Sequence, residues 1–184
     1  MEWRTYNYRF AEQIFESQDL QQIKYEILDI VKRAPVIPRK NPKGNITTDQ
    51  DAMNDWFEKE FTEEREWEPH PFIGDPEVTK LQADFKKRRV QVEVQFGNIA
   101  RAIYDIFKMQ ASYGLDMIDI GVLILPMQDF SETMGDNIAY FQRVARELPL
   151  AKMSITLPIW VIGIAPKVPR EKQESGRKQA KLPG

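Results

Sequence analysis

The residues best suited to chemistry lie close together near the middle of the chain. Asp84 stands before a run of four cations, Lys86, Lys87, Arg88 and Arg89, and Glu93 and Gln95 follow on the far side of that run. In an extended strand, residues i and i+2 point to the same side. Glu93 and Gln95 therefore share a face, while Val90, Val92 and Val94 take the other. If residues 80–85 form the neighbouring strand of a hairpin turning at Lys86-Lys87-Arg88, Asp84 comes to lie beside Glu93. Two carboxylates and nearby main-chain carbonyls suit Mg²⁺, which accepts a few protein oxygens and keeps several waters. Such an ion orients and activates water and stabilises charge on an attacked phosphate. Consecutive cations beside it would attract a polyanion. The same residues also fit a solvated edge strand with a basic turn, and the D-x8-E-x-Q spacing alone recurs by chance.

Composition narrows the chemistry from the other side. The chain has 184 residues, no cysteine and a single histidine, His70, within Glu-Pro-His-Pro. Disulfides, thiolate zinc sites and cysteine nucleophiles are excluded, and a histidine-rich metal site cannot be built. Carboxylates, amides, amines, guanidinium groups and hydroxyls remain, the set that suits hard divalent cations. The net charge of −2 argues globally against a nucleic-acid partner, but the charge is segregated. Residues 167–184 carry six basic residues against two acidic ones, and Arg39, Lys40 and Lys43 form a second basic segment. The acidic excess concentrates around 58–68. No apolar leader is visible after Met1, and the apolar stretches at 118–127 and 155–166 fall short of the roughly 20 residues that span a bilayer. A soluble, cytoplasmic protein is expected.

The elements that must position these residues follow from periodicity. Leu20, Ile23, Ile27, Ile30 and Val31 predict an amphipathic helix over about 19–33. Residues 35–48, rich in proline and basic residues, read as a loop. Asp49 or Thr48 caps a second helix carrying Met53, Trp56, Phe57 and Phe61, and the acidic, proline-punctuated 62–77 reads as another loop. Residues 90–96 alternate as a strand, Gly97-Asn98 breaks it, and Ile99, Ala102, Ile103, Ile106, Phe107 and Gln110 continue at helical spacing. Residues 117–125 are apolar enough for a strand covered on both faces, ended by Pro126. Residues 136–147 read as a helix and Leu157–Ala165 as another strand. Strand–helix–strand–helix–strand implies an α/β fold, a central sheet flanked by helices. Residues 1–166 form one domain, and 167–184 a basic, flexible tail.

Asp84 to Gly97, DFKKRRVQVEVQFG, resembles the active-site strands of type II restriction endonucleases of the BglII/BstYI type. These belong to the PD-(D/E)XK nuclease superfamily and replace its final lysine with glutamine. The resemblance continues through Ala102–Phe107, Ile118–Val122, Ile124–Met127 and Ile162–Pro166, with a weaker echo at Met53–Phe57 and Trp67. It implies a restriction-endonuclease-like core with a central mixed sheet. It also implies Mg²⁺-dependent hydrolysis of phosphodiesters in double-stranded DNA at a short palindrome, with a GATC core in the members most like this chain. By resemblance, Asp84 is the principal metal ligand, Glu93 binds or positions the metal-bound water, and the Val94 carbonyl completes the protein's share. Gln95 takes the lysine position, where a neutral amide orients but supplies no charge. Lys86 or Lys87 would then supply the missing cation, and Glu26 is a candidate early-helix acid.

The resemblance further implies a homodimer matching a two-fold site, in a prokaryotic cytoplasm, beside a companion DNA methyltransferase. Asn98 and Arg101 flank the start of the helix after the catalytic strand. They have the chemistry to read adenine and guanine, and Asn98 equally suits a helix cap. Lys86, Lys87, Lys40, Lys43 and the tail lysines would touch phosphates. His70 reads as a loop residue. The four tryptophans and Tyr104, Phe107 and Tyr113 read as packing, and the apolar helical residues at 99–107 serve core or dimer contact. The rival readings are a repair or non-specific nuclease of the same fold, and a DNA-binding domain that has lost cleavage.

Overall fold

In a computed structural model of the chain, residues 1–167 are described. The chain opens with strand β1 (Glu2–Tyr8), the short helix α1 (Ala11–Ile14) and the long helix α2 (Gln18–Arg33). A small hairpin, β2 (Pro38–Lys40) and β3 (Ile46–Thr48), leads into α3 (Gln50–Thr62) and a short strand, β4 (Glu68–Pro69). Next come β5 (Phe85–Lys87), β6 (Val90–Val94), α4 (Ile99–Gly114) and β7 (Ile120–Pro126). Two short helices, α5 (Gln128–Ser131) and α6 (Phe141–Glu147), a 3-10 turn over Leu148–Ala151 and β8 (Ile159–Ala165) complete the order. Six strands make one mixed sheet in the order β1-β8-β7-β6-β5-β4. The parallel pairs β6·β7 and β7·β8 form its centre, and antiparallel strands flank it on both sides.

Helices cover both faces of the sheet, as the expected α/β sandwich requires. Leu20, Ile23, Ile27 and Ile30 of α2 and Met53, Phe57 and Phe61 of α3 pack on Val90, Val92, Ile120, Val122, Trp160 and Ile162. On the other face, Ala102, Ile106 and Met109 of α4 and Phe141 and Val144 of α6 pack on Leu123, Leu125, Ile159 and Val161. The predicted caps form as expected. The Asp49 side chain accepts from the Ala52 N–H, and Asn98 accepts from the Arg101 N–H. No helix among the described residues is long and apolar enough to cross a membrane.

Several boundaries differ from the sequence expectation, each for a physical reason. Strand β1 has no predicted counterpart, because most of it is exposed and its order comes from the ladder with β8, Glu2↔Ala165 to Tyr8↔Ile159. The basic 35–48 segment is not only a loop but contains the β2–β3 hairpin. The helix expected from residue 136 begins at Phe141. The β5–β6 turn is Arg88-Arg89 rather than Lys86-Lys87-Arg88, with Arg88 in the left-handed region at φ 53°. The basic tail, beyond Lys167, lies outside the described residues.

The close approach of α6 to the sheet depends on Gly163. A Cβ there would lie 2.4 Å from Cγ and 2.6 Å from Cβ of Phe141, so no side chain fits without moving the helix. Gly163→Ala is expected to cost about 1–3 kcal/mol in urea unfolding, as overpacking of a close-packed interior does. An unchanged midpoint would mean that α6 has slack to give.

Candidate active site

The strand that carries the predicted chemistry is buried from end to end. All of Val90–Val94 is buried, and Glu93 has no exposed surface. The picture of a polar, solvent-facing edge strand is therefore corrected: β6 lies inside the sheet, and its polar face is roofed by α4. Buried polar groups need partners, and α4 supplies them from Asp105 and Lys108 on its inner side. The apolar face of β6 is anchored by an aromatic cluster. Phe85 stacks on Phe61 at 4.6 Å between centroids, Phe61 meets Trp67 at 5.1 Å, and Phe96 meets Phe57 at 5.7 Å. Phe85 and Phe96 adjoin Asp84 and Gln95 in sequence. Fixing those rings on one face holds the two polar residues to the other.

Asp84 and Glu93 are brought together as predicted, although residues 80–84 are not a named strand. The Val94 N–H donates to Asp84 Oδ2 at 2.9 Å, which pins the carboxylate against β6. Its Oδ1 accepts no hydrogen bond among the described residues and lies 3.8 Å from Lys108 Nζ. Glu93 accepts from Gln91 Nε2 at 2.7 Å through Oε1 and from Lys108 Nζ at 2.5 Å through Oε2. Lys108 Nζ also lies 3.0 Å from Asp105 Oδ1. Gln95 is held at both ends of its amide. Its Nε2 donates to Asp105 Oδ2 at 2.6 Å, and its Oε1 accepts from the Gly97 N–H at 2.6 Å. Three carboxylates thus surround one ammonium, an excess of negative charge that a divalent cation would balance.

Burial, with Asp84 close by, pushes the Glu93 carboxyl well above the usual range. Burial also raises Asp84, against the opposing pull of Lys108 and the Val94 N–H. For Lys108, burial works against the charged form, but Glu93, Asp105 and Asp84 together outweigh it and hold the ammonium protonated.

A cavity of about 240 Å³ opens beside this cluster. Asp84, Val94, Gln95, Arg101 and Asp105 line it from the sheet and α4, and Asn54, Glu58 and His70 from α3 and the following loop. Glu93 does not line the cavity. His70 is thus a loop residue, as expected, but one at the mouth of the site, and its N–H donates to the Asp84 carbonyl at 2.9 Å. Among the described residues no group of three or more Asp, Glu, His or Cys side chains is arranged to hold a metal ion. The donors present, the free Asp84 Oδ1, the Val94 carbonyl and Glu93, are hard oxygens. Few in number, they fit Mg²⁺, which is satisfied by one or two carboxylates and waters.

The basic run does not act as one patch. Lys87 Nζ pairs with Glu26 Oε2 at 2.8 Å, Arg88 donates to the Asp19 carbonyl, and Arg89 pairs with Asp116 and Asp119. The expectation that Lys87 faces DNA or supplies a cation to the site is corrected. In the β5 register Lys87 alternates with Lys86 and points to the α2 face, where it donates to Glu26 and to the Arg65 carbonyl, and Trp67 Nε1 donates to the same Glu26 oxygen. Glu26 is accordingly on the opposite side of the sheet from Glu93. Lys86 shares the face of Gln91 and Glu93 and makes no ion pair among the described residues. Arg101, exposed at the first turn of α4, likewise makes none. Lys40 and Lys43 are in the β2–β3 hairpin and its turn.

Sequence reasoning missed Asp105 and Lys108. It left the apolar residues at 99–107 as core or dimer contact; Ile103 and Phe107 are 60 % and 53 % exposed, while Ala102, Asp105, Met109 and Ser112 face inward. The available signal was the i, i+3 spacing of Asp105 and Lys108 near the small-residue line of Ala102 and Ser112.

A family model described as restriction endonuclease BglII/BglIII matches residues 3–164. Among solved structures, the chain is similar to the crystal structure of restriction endonuclease BglII complexed with a DNA 16-mer. The TM-score is 0.79 at 18% identity, over 91% of this chain and 78% of that one. It is also similar to free BglII, with a TM-score of 0.68 at 19% identity, over 91% of this chain and 81% of that one. These likenesses show a shared fold. No curated protein matches the sequence.

Crowded carboxylates make the metal-free site a source of instability. Because the folded-state pKa of Glu93 is raised, the native state holds its proton more tightly than the unfolded chain does. That contribution is present below the ordinary carboxylate pKa and is lost as pH rises through the raised value. Glu93→Gln removes this loss. At pH 8 without metal it is expected to raise Tm by about 2–4 °C, the shift produced by about 1 kcal/mol in a chain of this size. Near pH 4 the gain should shrink. Calorimetric scans at both values check it, and a variant less stable at pH 8 would contradict it.

Proposed function

The chain belongs to the restriction endonuclease BglII/BglIII family, and is thus a type II site-specific deoxyribonuclease; we propose that it cuts double-stranded DNA in a Mg²⁺-dependent reaction at a short palindrome with a GATC core. The observation that carries this reading is Asp84, pinned by the Val94 N–H at 2.9 Å, lining an open cavity together with Val94, Gln95 and Arg101, with Glu93 on β6 behind it. DNA as partner is further supported by the neighbour solved with a DNA 16-mer.

In this reading Asp84 and the Val94 carbonyl would hold the ion, and Glu93 would bind or position the attacking water. When bound, Mg²⁺ lowers the pKa of that water and neutralises charge developing on the phosphate. Gln95, held by Asp105 and Gly97, fixes the shape of the cavity wall and adds no charge. Arg101, unpaired among the described residues, meets the scissile phosphate or an adjoining guanine. Asn98 spends its side-chain oxygen on the helix cap, so its amide N–H groups are what it offers to a base. Lys86 is available to phosphates on the same side.

The chain acts as a homodimer, one recognition surface per subunit matching one half-site. Ile103, Tyr104 and Phe107 support this. They form an exposed apolar stripe on α4, with Tyr104 and Phe107 stacked at 6.0 Å, beside an apolar groove of about 390 Å³ reaching α6. A companion methyltransferase would protect the same sequence in the host.

A supercoiled plasmid incubated with Mg²⁺ is expected to give discrete fragments, and none in EDTA. Smearing would favour a non-specific or repair nuclease of this fold, and intact plasmid a binding domain. Asp84→Ala should abolish cutting while leaving DNA binding measurable in a gel-shift assay; a fully active variant would refute the assignment of Asp84. Phe107→Glu should convert the dimer to a monomer in light scattering coupled to size exclusion. A dimer that persists would place the interface elsewhere.

A further inference from the structure

We infer that Lys108 is a positioning residue for cleavage, its ammonium being the fixed counter-cation that gathers Asp84, Glu93 and Asp105 into one site. The inference rests on the reading of Asp84 as metal ligand and Glu93 as the carboxylate that binds or positions the attacking water. Lys108 comes from the third turn of α4 and is 8% exposed. Its Nζ lies 2.5 Å from Glu93 Oε2, 3.0 Å from Asp105 Oδ1 and 3.8 Å from Asp84 Oδ1. No other cation forms an ion pair with any of these carboxylates among the described residues. Lysines are almost never this buried unless paired, and here one ammonium serves three acids.

Two consequences follow from the contacts. First, Lys108 sets where Glu93 points. Glu93 has no exposed surface, and its two oxygens are fixed by Gln91 and by Lys108. Remove the ammonium and one oxygen loses its only hydrogen-bond partner among the described residues. Second, Lys108 acts on Gln95 at one remove. It holds Asp105 Oδ1 while Asp105 Oδ2 accepts from Gln95 Nε2, and Gln95 Oε1 in turn takes the Gly97 N–H. A single side chain therefore braces the β6 carboxylate and the amide two residues on. It also offsets part of the negative charge of three crowded acids, leaving an excess that a divalent ion would balance. Lys108 does not line the cavity, so it works through these groups rather than on the DNA.

Because the chain lacks cysteine, Lys108→Cys creates a single thiol that can be alkylated in denaturant before refolding. Aminoethylation rebuilds an ammonium of lysine's length, and propylation builds a neutral chain of similar size. Wild-type protein taken through the same refolding is the reference, and Lys108→Met is a second neutral variant made without alkylation. The propyl adduct and Lys108→Met are expected to cut about 100-fold more slowly in single turnover, the cost of a misplaced reacting group. Their Kd for DNA in Ca²⁺ should stay within about threefold, since a buried lysine makes no phosphate contact. Their metal-free Tm should fall. The aminoethyl adduct should recover both rate and Tm. Equal recovery by the propyl adduct, or normal cleavage by Lys108→Met, would overturn the inference. Asp84→Asn, run alongside, separates the two levels. If it cuts normally, the metal-site reading itself has failed; if it is inactive while Lys108→Met is active, only the role of Lys108 has.

Discussion

The site depends on one constraint: a strand bearing Gln91, Glu93 and Gln95 is buried on both faces. A carboxylate inside a protein is tolerated only with charge and hydrogen-bond partners. That requirement dictates what α4 carries on its inner side, where Asp105 and Lys108 sit among alanine, methionine and serine. It also dictates the register between α4 and β6, because Lys108 reaches Glu93 only if the helix starts at the Gly97-Asn98 break. The Asn98 cap, which fixes the first turn, is thus part of the apparatus that places the cation.

The second face of the sheet has a complementary task. The rings of Phe57, Phe61, Phe85, Phe96 and Trp67 lock together, and two of them adjoin Asp84 and Gln95. Interiors packed this tightly transmit displacement rather than absorb it. The aromatic cluster therefore does for backbone position what Lys108 does for side-chain direction. Between them the carboxylates are held close against their mutual repulsion. Sites of this kind are where pKa values depart furthest from ordinary ones, as they do at Glu93 and Asp84.

Much of this was legible in the chain. The strand–helix–strand order, both long helices of the apolar face, the caps at Asp49 and Asn98, and the pairing of Asp84 with Glu93 follow from period, spacing and residue type. The basic run misled because a run of cations has one composition but two destinations. Alternation along β5 sends Lys86 and Lys87 to opposite faces, and the tight turn hands Arg88 and Arg89 to acids of other segments. Alternation of apolar and polar residues on β6 left both a site and a solvated edge strand open. Polar residues facing α4 and polar residues facing water look alike in one dimension.

The sequence by itself determined which groups are available for chemistry. With no cysteine and one histidine, it confined the site to oxygen ligands, and its local spacing put two carboxylates across one hairpin. Only the tertiary structure decided which charge answers them. Lys108 is fifteen residues from Glu93 and on another element, so no local pattern joins the two. What joins them is burial: once β6 is inside, its carboxylate must find a cation, and the helix that covers it is where one can come from.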